Sequence, residues 1–234
     1  MGQPVVLVHG AYHGGWCWRR VAALLREVGH EVFTPTLTGL GERAHLLTPE
    51  VGLATMIHDV TAVLETEELT DVLLVGHSFG ALPVLGAADR LRDRIARIVL
   101  LDGLVVEAGR RAFDGLPADV VVQRELDARR RGNNLAMPPP PAEAFGVTDP
   151  ADAAWVERHL TPQPLRSYRE PLAVEGPLGA GLPVAYVYCS EPDYPAIAAG
   201  HQVVKDHGWE WRDLPTGHDA MVTDPAGTVT ALLA

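Results

Sequence analysis

Cysteine is nearly absent from this chain of 234 residues, and the two present, Cys17 and Cys189, cannot build a disulfide framework. Both sit among apolar neighbours, in Trp16-Cys17-Trp18 and Val187-Tyr188-Cys189, and are expected as buried, reduced thiols. Basic residues are also scarce, 19 against 30 acidic ones, for a formal net charge of −11. A surface this acidic repels phosphate backbones and anionic lipid, so neither nucleic acid nor membrane is an expected partner. A neutral or apolar small molecule is the expected one. No apolar run approaches the ~20 residues needed to cross a bilayer, and no basic stretch followed by an apolar run opens the chain. A cytoplasmic protein is expected. The oligomeric state cannot be read from these features.

What is present is ordinary globular composition, 47% hydrophobic and 21% charged residues, at a length that suits one sizeable core. Short apolar runs alternate with helical patterns, the signature of an α/β protein with a doubly wound, mostly parallel sheet. The runs are Val5 to Val8, Glu31 to Phe33, Val72 to Val75, Ile95 to Leu101, Val184 to Cys189 and Glu210 to Leu214. Several are apolar at consecutive positions, as strands buried on both faces must be. Val21, Leu24, Leu25 and Val28 mark one helical face, closed by Gly29; Leu82, Leu85, Ala88 and Leu91 mark another. Thr223-Asp224-Pro225 starts a final helix with proline in its first turn.

The alternation breaks between about residues 103 and 183. This stretch holds Met137-Pro138-Pro139-Pro140-Pro141, for which an extended polyproline segment is expected, and helical fragments around Val122 to Arg131 and Ala151 to Leu160. It reads as a cap inserted into a single domain spanning residues 1–234. Arg129-Arg130-Arg131 before Gly132 reads as the solvated last turn of a helix, its charge compensating the helix dipole.

Three segments carry chemistry. Gly76-His77-Ser78-Phe79-Gly80 lies between an apolar run and a helical pattern. A serine on so sharp a strand-to-helix turn has a strained backbone, needs small residues two positions away, and is exposed at the strand end. The turn also aims the Phe79 N–H toward developing negative charge. His9-Gly10-Ala11-Tyr12-His13-Gly14-Gly15-Trp16, after the first strand, is where a second amide donor is needed, and Ala11 N–H is the candidate. Each such donor contributes about 3 kcal/mol to a transition state. His9 and His13, four apart, lack the helical context or partner set of a metal site, so no metal or other cofactor is expected. Among ten histidines, His218 in Pro215-Thr216-Gly217-His218-Asp219 follows the last strand, where a loop can hang an imidazole over Ser78.

These segments, Val5 to Trp18, Gly76 to Gly80 and Gly217-His218-Asp219-Ala220-Met221, resemble the α/β-hydrolase fold. The resemblance is to its compact branch of plant methyl esterases, hydroxynitrile lyases and bacterial pyrethroid-type carboxylesterases. It covers the sheet scaffold, about two thirds of the chain, and implies a Ser-acid-His triad that cleaves esters through an acyl-enzyme. The hydroxynitrile lyases of the branch carry threonine after the first-loop histidine and lysine after the catalytic histidine. Here Gly10 and Asp219 stand at those positions, so the resemblance favours an esterase of small, largely apolar esters. Gly10, Tyr12, Trp16 and His77, near the nucleophile, are the substrate-contacting candidates, with Phe79 also expected in the acyl pocket.

The triad acid stays open at this level. Asp193, in Cys189-Ser190-Glu191-Pro192-Asp193-Tyr194-Pro195, follows the strand where relatives place the acid, with the register off by one. Asp102 ends the preceding strand, an alternative location in this fold, and a carboxylate there is desolvated unless partnered. Glu191 is a third candidate. Two rival functions also remain open: a lyase reusing Ser78 and His218, and a non-catalytic ligand-binding homologue.

Overall fold

In the computed structural model, which describes residues 2–234, six parallel strands form one sheet in the order β2-β1-β3-β4-β7-β8. The strands are β1 (Val5–Val8), β2 (Val32–Phe33), β3 (Val72–His77), β4 (Ile95–Leu101), β7 (Val184–Cys189) and β8 (Glu210–Leu214). β1 and β3 are buried at every position, as their consecutive apolar residues demand. Around the sheet run α1 (Arg19–Glu27), α2 (Leu53–Thr66), α3 (Ala81–Arg90), α7 (Ala199–Asp206), α8 (Ala220–Thr223) and α9 (Pro225–Leu233). α1 packs on α9 and α2 on α3. After β1 the chain winds toward β2, and after β3 it winds the other way, toward β4. The two right-handed crossovers therefore put their helices on opposite faces, and the crevice beyond the carboxyl ends of β1 and β3 is the topological switch point.

Helix α2 has no counterpart among the sequence-based expectations. Its signal is nevertheless regular, since Leu53, Met56, Ile57, Val60 and Leu64 recur at helical spacing and all are buried. Glycine at its N-cap and the lack of acid in its first turn leave the start unmarked. The expected strands, by contrast, agree with the observed ones to within two residues at either end, β3 running on to His77. Both cysteines are buried free thiols.

Residues 103–183 separate β4 from β7 and hold α4 (Ala118–Arg131), α5 (Pro150–Glu157), α6 (Leu165–Arg169) and the two-stranded ribbon of β5 (Ala136–Met137) and β6 (Gln163–Pro164). Pro138 to Pro141 form neither helix nor strand. Arg129 and Arg131 occupy the last turn of α4, where they pair with Glu125 and Asp127 one turn earlier. The segment is bound to the β1 loop from both directions. The Tyr12 amide donates to Gln163 Oε1 at 3.0 Å, and the Thr161 amide donates to Tyr12 O at 2.9 Å. Among the described residues, no helix is long and apolar enough to cross a membrane.

The α2–α3 contact is set by one missing side chain. A Cβ on Gly86 of α3 would lie 2.4 Å from Ile57 Cδ1 and 2.8 Å from its Cγ1. Gly86→Ala is therefore expected to destabilise by about 1–3 kcal/mol through overpacking, despite the better helix propensity of alanine. Ile57→Ala should cost about 2–5 kcal/mol by leaving a cavity. In urea unfolding, the double variant should lose at least about 0.5 kcal/mol less than the two single losses added together. Strict additivity would mean that the helices do not meet there.

Candidate active site

β3 pairs with β4 in step up to His77 and Leu101, so the next residues, Ser78 and Asp102, leave the sheet side by side. Both turn through left-handed backbone, with φ of +51° at Ser78 and +43° at Asp102. Such conformations are disfavoured for side chains with a Cβ and persist only where surroundings over-determine them. At Ser78 those surroundings are glycine contacts. A Cβ at Gly76 would meet Gly80 O at 2.7 Å, and one at Gly80 would meet His9 O at 2.5 Å. The Ser78 carbonyl is in turn held by the Leu104 amide at 2.8 Å.

His218, on the loop after β8, joins the two. Its Nε2 lies 2.9 Å from Ser78 Oγ, and its Nδ1 lies 2.5 Å from Asp102 Oδ2. Asp102 is fully buried, and its second oxygen accepts the Cys189 amide of β7 at 3.2 Å. A carboxylate on Nδ1 fixes the tautomer that leaves Nε2 free to accept the serine proton. The ring of Tyr194 stacks on His218 at 4.0 Å, and Phe145 lies 6.2 Å from His218 and 6.4 Å from Tyr194.

A second histidine–carboxylate pair lies behind the first. Asp219 Oδ2 meets His13 Nε2 at 3.0 Å, and His13 Nδ1 donates to Ala11 O at 2.7 Å. Burial alone disfavours a charged ring, yet Asp219 holds His13 above its ordinary range. Burial would equally raise Asp219, but His13 keeps it below the usual carboxylate value. The pair is thus a buried ion pair. His77 stays neutral, pushed well down by burial, and donates from Nε2 to the carbonyl of His218 at 2.9 Å. Burial lowers His9 to about 3, so it is neutral too; its Nδ1 donates to Gly10 O and its Nε2 accepts the Leu37 amide.

The loop of His218 also touches the inserted segment. A Cβ on Gly217 would sit 2.9 Å from Gly146 Cα, and one on Gly146 would sit 2.8 Å from Gly217 Cα. Close by, the Asp219 amide donates to Phe145 O at 3.0 Å.

The cavity at Ser78 is lined by Ala11, Tyr12, Leu104, Leu116, Arg124, Phe145, Tyr168, Tyr194 and Ile197. Its free volume is about 10 Å³, barely room for one water. Of the residues singled out in the sequence, Ser78, Asp102 and His218 come together, and Ala11 and Tyr12 join them at the cavity wall. Gly10 lies directly behind, where a Cβ would meet Ser78 Cβ at 2.9 Å. Phe79 is buried beneath, its ring stacked on Tyr168 at 4.9 Å. The remaining candidates stand apart. Asp193 is exposed and accepts the Tyr188 hydroxyl at 2.8 Å, and Glu191 is exposed as well. Trp16 packs on His13 and Trp155 and lines no part of the cavity. His77 sits behind the loop that carries His218. Leu104, Leu116, Arg124, Phe145, Tyr168, Tyr194 and Ile197 were not anticipated; they come from separate stretches whose convergence no local pattern encodes.

The model of the alpha/beta hydrolase family matches residues 5–231. The chain belongs to the α/β-hydrolase family. A carbendazim hydrolyzing esterase of Nocardioides sp. (strain SG-4G) is 41% identical over 231 residues, covering 94% of each chain. Methylesterase 2 of Arabidopsis thaliana is 38% identical over 96 residues, 40% of this chain and 36% of that one. Among solved structures, an extracellular α/β-hydrolase from a Paenibacillus species has a TM-score of 0.83 at 23% identity, covering 99% of this chain and 98% of that one. Tomato methylketone synthase I has a TM-score of 0.81 at 19% identity, covering 100% and 97%. These two likenesses are of fold alone. Within the α/β-hydrolase family, the esterase relatives support hydrolysis of a carboxylic ester.

The His13–Asp219 pair has a measurable signature. His13 is raised from 6.5, so its stabilisation is complete below pH 6.5 and is lost as pH rises through the higher folded value. Asp219 is lowered from 3.8, so its share is complete above pH 3.8 and is lost as pH falls through the lower folded value. Asp219→Asn should cost about 3–5 kcal/mol between those limits, because breaking a buried pair strands its partner. Urea midpoints measured from pH 4 to 9 should show the difference from wild type narrowing at the alkaline end. A constant offset across that range would mean that the pair is uncharged.

Proposed function

We propose that this α/β-hydrolase is a serine carboxylic-ester hydrolase working through an acyl-enzyme. The supporting observation is the His218 ring, bridging Ser78 Oγ at 2.9 Å and the buried Asp102 at 2.5 Å at the edge of one cavity. In the first half-reaction, Ser78 Oγ attacks the ester carbonyl carbon as His218 Nε2 takes its proton. The oxyanion is received by the Ala11 and Phe79 amides. The tetrahedral intermediate collapses, the C–O bond to the alcohol breaks, and His218 returns the proton to the departing alkoxide. Water then attacks the acyl-serine, giving its proton to His218, which passes it back to Ser78 Oγ as the acid leaves. Asp102 stabilises the imidazolium formed in each half.

The walls favour a small ester with apolar parts, since Leu104, Leu116, Phe145 and Ile197 present hydrocarbon to it. Residues 103–183 act as the lid of this pocket. With about 10 Å³ free around Ser78, the closed arrangement excludes bulk water, and a substrate enters only when lid side chains move.

Burst release of p-nitrophenol from short acyl esters, with a fluorophosphonate mass adduct on Ser78, tests the reading; carbendazim belongs in the substrate panel because the 41%-identical relative is named for hydrolysing it. The absence of both the burst and the adduct would refute an acyl-enzyme. Asp102→Asn should lower kcat by about 10⁴-fold through the wrong imidazole tautomer. Asp193→Asn should stay within about 3-fold of wild type, because a lost exposed hydrogen bond is worth little. The opposite ranking would transfer the acid to Asp193.

A further inference from the structure

One cavity wall does not match an apolar ester. Arg124 of α4 lines the cavity of Ser78 and also a larger one, of about 520 Å³, on the outer side. Tyr12 and Tyr194 are shared between the two in the same way. The Arg124 guanidinium is thus part of the partition between the nucleophile and the outer cavity.

Among the described residues this cation makes no ion pair. Of the acidic residues nearest it on α4, Glu125 pairs with Arg129 and Arg169, and Asp127 pairs with Arg131 and accepts from Gln123. Asp119 lines only the outer cavity. Around Arg124 stand Tyr12, Tyr168 and Tyr194, and the guanidinium lies over the Tyr168 ring, 5.4 Å from its centroid. Burial holds all three phenols above their ordinary range although Arg124 pulls the other way, so they remain neutral. Its Nη1 is buried and has no hydrogen-bond partner. A guanidinium does not lose its proton, and although Arg124 is only half-buried, leaving its buried Nη1 donor without an acceptor is unfavourable. A planar pair of oxygens is what such a fork is shaped to hold.

We infer that the substrate carries, besides the ester held at Ser78, a carboxylate that Arg124 binds through Nη1 at the opposite wall of the same cavity. The class is a half-ester of a dicarboxylic acid. The inference rests on the acyl-enzyme reading and narrows it. The hydrocarbon between the two groups packs against Leu104, Leu116 and Ile197, and the phenol of Tyr12 or Tyr194 supplies a further hydrogen bond to the carboxylate. An arginine at this position then serves selection rather than bond cleavage.

The test is a ladder of monomethyl dicarboxylates, from malonate to adipate, at pH 7.5, each measured beside its dimethyl ester and its neutral half-amide methyl ester by proton release. In wild type, at least one half-ester should exceed both neutral partners in kcat/KM by about 30-fold or more, the scale of a buried charge-assisted contact. Arg124→Met should abolish that ratio, and Arg124→Lys should retain part of it, because lysine keeps the charge and loses the fork. The ratio is taken within each variant, so partial unfolding cancels. If Arg124→Met does not fold, the wild-type ratios and Arg124→Lys still decide. No half-ester preference in wild type, or an equal preference for the half-amide, overturns the inference. Turnover of neutral esters with a Ser78 adduct, but with no such preference, leaves the serine-hydrolase reading intact. Absence of both turnover and adduct removes that reading as well.

Discussion

A carboxylate enclosed at the end of an apolar strand has to be satisfied, and among the described residues Asp102 is satisfied by two contacts. One oxygen takes the Cys189 amide and the other takes His218 Nδ1. The second contact orders the rest of the site. It holds the ring in one plane and assigns the proton to Nδ1, which leaves Nε2 as the acceptor facing Ser78. The sheet supplies the geometry without needing a long loop. β3 and β4 are paired in step from Leu73 onward, so Ser78 and Asp102 emerge as neighbours from adjacent strands, each through left-handed backbone.

Residues 218 and 219 point their side chains to opposite partners. His218 reaches Asp102 on the cavity side, while Asp219 reaches His13 on the loop after β1. His77 fills the space between, tied to the carbonyl of His218. The histidines differ because their partners differ. His9 meets a carbonyl and an amide, and burial decides for the neutral ring; His13 meets a carboxylate, and the attraction prevails over burial. One residue type performs two electrostatic tasks within a few ångströms of Ser78. The first loop, which bears Ala11, and the last, which bears His218, are joined by that ion pair, so the candidate oxyanion donor and the base are positioned together.

Much of this was legible before any coordinates. Strands buried on both faces must be apolar at consecutive positions, and Val5 to Val8 or Ile95 to Leu101 reveal themselves that way. Ser78 was legible because its flanking glycines answer a local steric demand, and His218 because it follows the last strand. The acid was not. Asp102 and Asp193 both follow strands, and only the register of β4 on β7 brings one of them under the ring. The cavity walls were illegible for the same reason on a larger scale, as Leu116, Arg124, Phe145 and Tyr168 come from separate stretches of the inserted segment brought together by tertiary contacts. Net charge is a total of −11 over the whole chain and does not reveal that a cation, Arg124, lines the cavity at Ser78. The Trp16 and His77 rings, next to the motifs in sequence, face the core.

The backbone contact between Gly146 and Gly217 carries a consequence for how this protein tolerates change. Two main chains in contact leave no space for a methyl group on either, so a side chain at either site requires the two chains to move apart. A bulkier residue at 146, more than forty positions along the chain from Ser78, Asp102 or His218, would push on the segment carrying the imidazole and lengthen its reach to Ser78. Genetic drift in the inserted segment is thereby restrained by the chemistry beneath it, through an atom that neither glycine possesses.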